Sequence, residues 1–133
     1  MKFIRQHKFH VSNGGADAMP VGGNTTYYTD AINIEKGESF SLEYKAAVTS
    51  GAADLAINLE QSDSPAATAY ASDANFTVGA DVSAVETSLS STTRKHKSIA
   101  PNMKKWIRLK IAGAGGNSAN ATLEATISIQ EEN

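Results

Sequence analysis

The 133-residue chain has no cysteine, which excludes disulfides and any zinc or thiol chemistry held by cysteine, and fits a reducing compartment. Aromatic residues are also scarce, at 7% of the sequence. Much of the hydrophobic fraction is alanine, which contributes little transfer free energy when buried, so a thin core is expected to draw support from neighbouring copies. No stretch approaches the roughly 18 apolar residues of a spanning helix, and charge interrupts residues 1–8. The expectation is a single domain made and used without a membrane.

Acidic residues are missing from two places. Lys2, Arg5 and Lys8 lie in residues 1–11, and Arg94, Lys95, Lys97, Lys104, Lys105, Arg108 and Lys110 lie in residues 94–110, and neither stretch contains an Asp or Glu. His7, His10 and His96 fall in the same stretches. The net charge of -2 is therefore a sum over basic and acidic regions, and if the two basic stretches are neighbours, one face of the protein is basic.

Helical spacing is hard to find, whereas period-2 alternation recurs, the mark of half-buried strands. Phe40, Leu42 and Tyr44 alternate with Ser39, Ser41, Glu43 and Lys45, and after a turn-like cluster at 49–53 Leu55, Ile57 and Leu59 alternate with polar or small residues. These two runs read as an antiparallel hairpin. A second hairpin is expected from Ile107, Leu109 and Ile111, the Gly/Asn-rich 113–118, and Leu123, Ala125, Ile127 and Ile129. Weaker strands are expected at 3–11, 25–34, Phe76 to Val78 and Val85 to Leu89, with a turn at 35–38. About eight short strands without helices define an all-β antiparallel sandwich, jelly-roll-like or immunoglobulin-like. The missing Cys-Trp-Cys pattern disfavours an antibody-type domain. Residues 1–24 read as a basic arm followed by a Gly-rich loop, and residues 25–133 as the sandwich.

No catalytic motif emerges. The glycines of 21–24 and 113–117 match neither a nucleophile elbow nor a P-loop and read as turns. His7 and His10, three apart in a strand, would face opposite ways, so they read as exposed histidines rather than metal ligands. Asp54, Asp63, Asp73 and Asp81 lack any calcium-loop spacing. Glu43 and Glu60 lie on neighbouring expected strands, but both should face solvent, and exposed strand glutamates do not make a glycosidase. No cofactor or metal is called for.

The basic segment from Arg94 to Arg108, with Trp106 inside it, invites three readings: a solvated face, a docking surface for a large acidic assembly, or a nucleic-acid site. A pI of about 5.9 and the absence of an OB-fold or RRM signature rank nucleic acid below the other two. Three passages then carry a resemblance: Leu55 to Ser62, Ile99 to Lys110 with its aromatic-Ile-Arg-Leu-Lys strand, and Ala119 to Ile127. They resemble small virion structural proteins of tailed bacteriophages. The resemblance implies a non-enzymatic capsid decoration or cement protein made in the bacterial cytoplasm and located in the virion. It also implies a homo-oligomer, with a trimer favoured, whose partner is the major capsid protein or another virion subunit. Lys2, Arg5, Lys8, Arg94, Lys95, Lys97, Lys104, Lys105, Trp106 and Arg108 are then the expected shell contacts. The alternative is a carbohydrate-binding or adhesive module that stacks sugars on Tyr27, Tyr28, Tyr70 or Trp106.

Overall fold

The computed structural model describes residues 2–21, 25–50, 53–78, 86–89, 93–99, 104–115 and 120–132. They hold eleven strands and no helix: β1 (Lys2–Lys8), β2 (Met19–Pro20), β3 (Thr26–Tyr28), β4 (Ile32–Asn33), β5 (Gly37–Ser50), β6 (Ala53–Ser62), β7 (Thr77–Val78), β8 (Glu86–Leu89), β9 (Thr93–Ile99), β10 (Trp106–Gly115) and β11 (Asn120–Glu132). All pairings are antiparallel. One sheet runs β1-β11-β5-β9 with β2 also on β11; the other runs β3-β10-β6-β7 with β4 on β10 and β8 on β6.

The eleven segments fill eight strand positions, because β1 and β2 share one edge of β11, β3 and β4 one edge of β10, and β7 and β8 one edge of β6. Numbered along the chain, these positions run 1, 8, 3, 6 across the first sheet and 2, 7, 4, 5 across the second. Every connection except that between positions 4 and 5 passes from one sheet to the other, the wrapping of a jelly-roll-like sandwich.

Both hairpins expected from the alternating runs are therefore replaced by crossings. β5 pairs with β11 and β9, whereas β6 pairs with β10, β7 and β8. Alternation identifies a strand and its buried face, but two runs joined by a short polar stretch can stack across the core as readily as pair beside each other. The Glu35 to Glu38 turn forms as expected, with Gly37 N–H donating to Ile34 C=O at 2.9 Å. A side chain at Gly37 would sit 2.5 Å from the Phe40 ring and 2.9 Å from Ile129, so close packing requires glycine there.

The core lies between the sheets, formed by Phe40, Leu42 and Tyr44 of β5, Leu55, Ile57 and Leu59 of β6, Ile107, Leu109 and Ile111 of β10, and Leu123, Ile127 and Ile129 of β11. The N-terminal stretch belongs to the same body. β1 pairs with β11 from Lys2 opposite Glu132 to Lys8 opposite Thr126, and Phe9, Met19 and Val21 are fully buried. The polar 12–24 segment, expected as loop throughout, thus carries a short strand at Met19–Pro20, in which Met19 enters the core and Pro20 stays exposed.

The strand expected over 25–34 is broken. Between β3 and β4, the Thr29 hydroxyl rather than a carbonyl accepts the Leu109 N–H at 2.8 Å, and the chain turns Asp30 away from the second sheet. Asp30 accepts the His10 backbone N–H at 2.8 Å and contacts the His7 ring at 2.5 Å. Arg5 Nη2 donates to the Asn33 carbonyl at 2.7 Å. Two polar clips therefore tie the β1 edge of one sheet to the β3–β4 edge of the other.

Candidate functional site

A sandwich offers its outer faces and edges to partners, and here the two outer faces are built differently. On the first sheet the outward residues form cross-strand rows: Gln6, Ser128, Ser41 and Ser98; then Lys8, Thr126, Glu43 and His96; then Glu124, Lys45 and Arg94. Small hydroxyl side chains make the first row flat. The next two rows frame a shallow depression of about 360 Å³ between Lys8, Glu43, Lys45, Arg94 and Glu124. Arg94 donates to Glu43 at 2.6 Å with both side chains largely exposed.

The second sheet has a covered face. Arg108 and Glu60 stand opposite each other on β10 and β6 and point outward, yet Arg108 is 0% exposed and Glu60 6%. The segment 63–76 lies over them. Arg108 Nε donates to Glu60 at 3.0 Å and Nη1 to the Ala71 carbonyl at 2.7 Å. The guanidinium carbon sits 4.7 Å from the Tyr28 ring centre and 4.4 Å from that of Phe76, so the charge is balanced by a carboxylate and two π faces. Asp73 organises the cover by accepting the Ala67 and Asn75 N–H groups at 3.0 and 2.9 Å. These two bonds, with the Arg108 charge beyond them, hold its carboxyl below the ordinary aspartate value.

This arrangement corrects the sequence reading at several residues. Arg108 cannot contact a partner, because it is the best-buried large polar side chain among the described residues. Glu60 does not face solvent. Glu43 and Glu60 stand on opposite outer faces of the sandwich, so they cannot act as a carboxylate pair. His7 and His10 are half-buried rather than exposed: His7 packs edge-on against Phe9 at 5.2 Å, and His10 contacts Asp17 at 3.0 Å. Asp17, also bonded by Lys8 at 3.1 Å, is held below the ordinary aspartate value by the His10 hydrogen bond first and Lys8 second. Burial raises the Asp30 carboxyl, but the His7 and His10 hydrogen bonds outweigh it and leave it lowered.

The remaining expected contacts do not form one patch. Lys2, Arg5 and Lys8 lie on one edge of the first sheet and Arg94, Lys95 and Lys97 on the other, separated by β11 and β5. Lys2 pairs with Glu38 at 3.4 Å and Arg5 with Glu131 at 2.8 Å. Lys104 and Lys105 precede β10 beside a notch with Ile34, Glu35 and Phe40, and Trp106 is half-buried. The aromatic residues suggested for sugar stacking make no shared platform: Tyr27 turns toward the core, Tyr28 covers Arg108, and Tyr70 lies in the covering segment with a φ of 61°. No cluster of His, Asp or Glu suited to a metal occurs among the described residues.

The Arg108 cluster was missed in the sequence. Its one signal is the match of Arg108 and Glu60, which becomes a cross-strand pair only when β10 is placed beside β6.

Strand order and core together define an antiparallel, jelly-roll-like sandwich, an architecture of viral shells and lectins among others. No protein-family model matches the chain, and no curated protein matches it. Among solved structures it is similar to a chain in the structure of infectious bursal disease virus, Gx strain, with a TM-score of 0.55 at 11% identity over 98% of this chain. It is similar also to a chain in the crystal structure of the T13 particle of the same virus, with a TM-score of 0.54 at 12% identity over 97%. The protein spans about a third of the length of those chains (32% and 31%). At such identity the likeness is one of fold.

Proposed function

We propose that the protein is a non-enzymatic structural subunit of a virus particle, one that decorates or cements the assembled shell of a tailed bacteriophage. The observation that carries this reading is the fold likeness to chains of an icosahedral particle, which extends over nearly the whole chain. The open face of the first sheet supports it: a flat hydroxyl row can pack closely against a neighbour, and the flanking charges set register. Arg94, Lys95 and Lys97 at one edge, and Lys104, Lys105 and Trp106 before β10, are the contacts offered to the major capsid protein. Many copies, three to a site, would give avidity that a single shallow face lacks.

The test is cosedimentation with shells assembled from the major capsid protein encoded nearest its gene. Saturable binding is expected, weakened by salt and lost when Arg94, Lys95 and Lys97 are all changed to Glu. Failure to cosediment at any salt concentration would overturn the proposal.

A further inference from the structure

β1 is an edge strand whose outer side carries no strand among the described residues. The direction of its free backbone groups follows from one bond. Phe9 N–H donates to the Ala125 carbonyl at 2.9 Å, in a ladder that continues through His7 opposite Ile127 and Arg5 opposite Ile129. Antiparallel pairs alternate, so Phe3, Arg5 and His7 bond inward to β11, and Lys2, Ile4 and Gln6 turn their N–H and C=O groups away from the sheet.

Such edges are ordinarily guarded by free charge. Here each guard is already engaged: Lys2 with Glu38, Arg5 with Glu131 and Lys8 with Asp17, at 3.4, 2.8 and 3.1 Å. Between them stand Phe3, 44% exposed, and Ile4, 69% exposed, the only exposed large hydrophobic residues among those described. An edge that is locally neutralised and apolar at its centre favours an apolar strand over an acidic one.

We propose that β1 pairs with β1 of a second copy, antiparallel about a two-fold axis through Ile4. Three registers place outward amides against outward amides over at least five residues of β1. An axis through Arg5 sets Arg5 on Arg5 and Lys2 opposite Lys8. An axis through Gln6 sets Ile4 opposite Lys8 and Arg5 opposite His7. The axis through Ile4 sets Ile4 on Ile4, Phe3 opposite Arg5 and Lys2 opposite Gln6, with no like-charged pair and a guanidinium beside each ring. The contact is self-complementary and closes at two copies, joining the two first sheets edge to edge. It does not rest on the virion reading; on a particle it would link neighbouring oligomers rather than build them.

The absence of cysteine allows a direct test. In this register the two Ile4 Cα atoms lie about 5.5 Å apart, within disulfide range, whereas two Gln6 residues are offset by roughly 13 Å along the strands. Under mild oxidation Ile4→Cys is expected to become a disulfide-linked dimer, and Gln6→Cys to remain uncrosslinked. The sedimentation mass of the unmodified protein is expected to be an even multiple of 14.0 kDa and to halve in Ile4→Pro, which removes an outward N–H but no bond to β11. Ile4→Lys, a change at an exposed position that opposes two ammonium groups, carries the same expectation should the proline variant fold poorly. Equal crosslinking of the two cysteine variants, or a mass of one or three chains at up to ~1 mM, would overturn the proposal.

Discussion

Arg94 and Arg108 come from the same basic stretch, and each meets a glutamate on the adjoining strand, yet they live in opposite environments. Arg94 stands on the open face with its side chain 73% exposed against Glu43; Arg108 stands under residues 63–76 with none exposed, against Glu60, Ala71, Tyr28 and Phe76. Both point outward from their sheets. The difference is supplied by the long connection after β6, which folds back over one sheet, whereas no described segment covers the other. Burial of a strand residue in a sandwich is thus decided by what crosses its face as well as by alternation. A charge that is solvated in one sheet becomes the anchor of a covering segment in the other.

Removing each anchor should separate the two cases, and the largest effect is expected at Arg108. Arg108→Ala leaves the Glu60 carboxylate buried without its partner and releases Ala71 and Phe76, a loss of about 3–5 kcal/mol in unfolding free energy. Denaturant unfolding measures the loss, and limited proteolysis should show cleavage moving into residues 63–76. Arg108→Met combined with Glu60→Leu should recover most of the stability, because an apolar pair of similar volume fills the same space without a buried charge. A double variant no more stable than Arg108→Ala would show that the anchoring lies in the Arg108 hydrogen bonds and ring contacts rather than in charge balance.

The covering segment is also expected to respond to acid, more weakly. Asp73 is held below its ordinary value by the Ala67 and Asn75 amides and then by Arg108. A lowered carboxyl stabilises the folded cover fully above the unfolded aspartate value of about 3.9, and that contribution is lost as pH falls through the lower folded value. Hydrogen exchange, corrected for intrinsic rates, should show protection at the Ala67 and Asn75 amides falling below about pH 4. In Asp73→Asn, which retains only one acceptor for two donors, protection should be low at every pH.

Much of the scaffold was legible in the alternating residues: the long strands β5, β6, β10 and β11 and their buried faces follow from Phe40, Leu55, Ile107 and Leu123 and the residues two apart from each. What pairs with what was not, because the stretches after Thr49 and Gly113 are equally suited to a hairpin or to a crossing between sheets. The candidate surface was read in part. Charge segregation is real in the sequence, but β11 and β5 separate its two halves, and internal acids such as Glu38, Glu131 and Asp17 neutralise one of them. Arg108 was misread because its cover comes from residues 63–76, a Ser/Ala-rich segment with no periodicity, held by Asp73 and Phe76 through contacts that local pattern does not encode.

The smallest effect is expected at Arg94, and its smallness is what makes it informative. An ion pair with both partners exposed gains little in water and costs side-chain entropy, so Arg94→Ala should change stability by less than about 0.5 kcal/mol, and high salt should remove even that. The same substitution removes one corner of the depression framed by Glu43, Lys45 and Glu124 on the open face. If Arg94 serves docking, Arg94→Ala should weaken shell binding and flatten its salt dependence while the unfolding curve stays in place. If it is only a solvated charge, both measurements should be unchanged. A loss of stability comparable to that of Arg108→Ala would instead show that the open face is covered, and would erase the contrast between the two arginines.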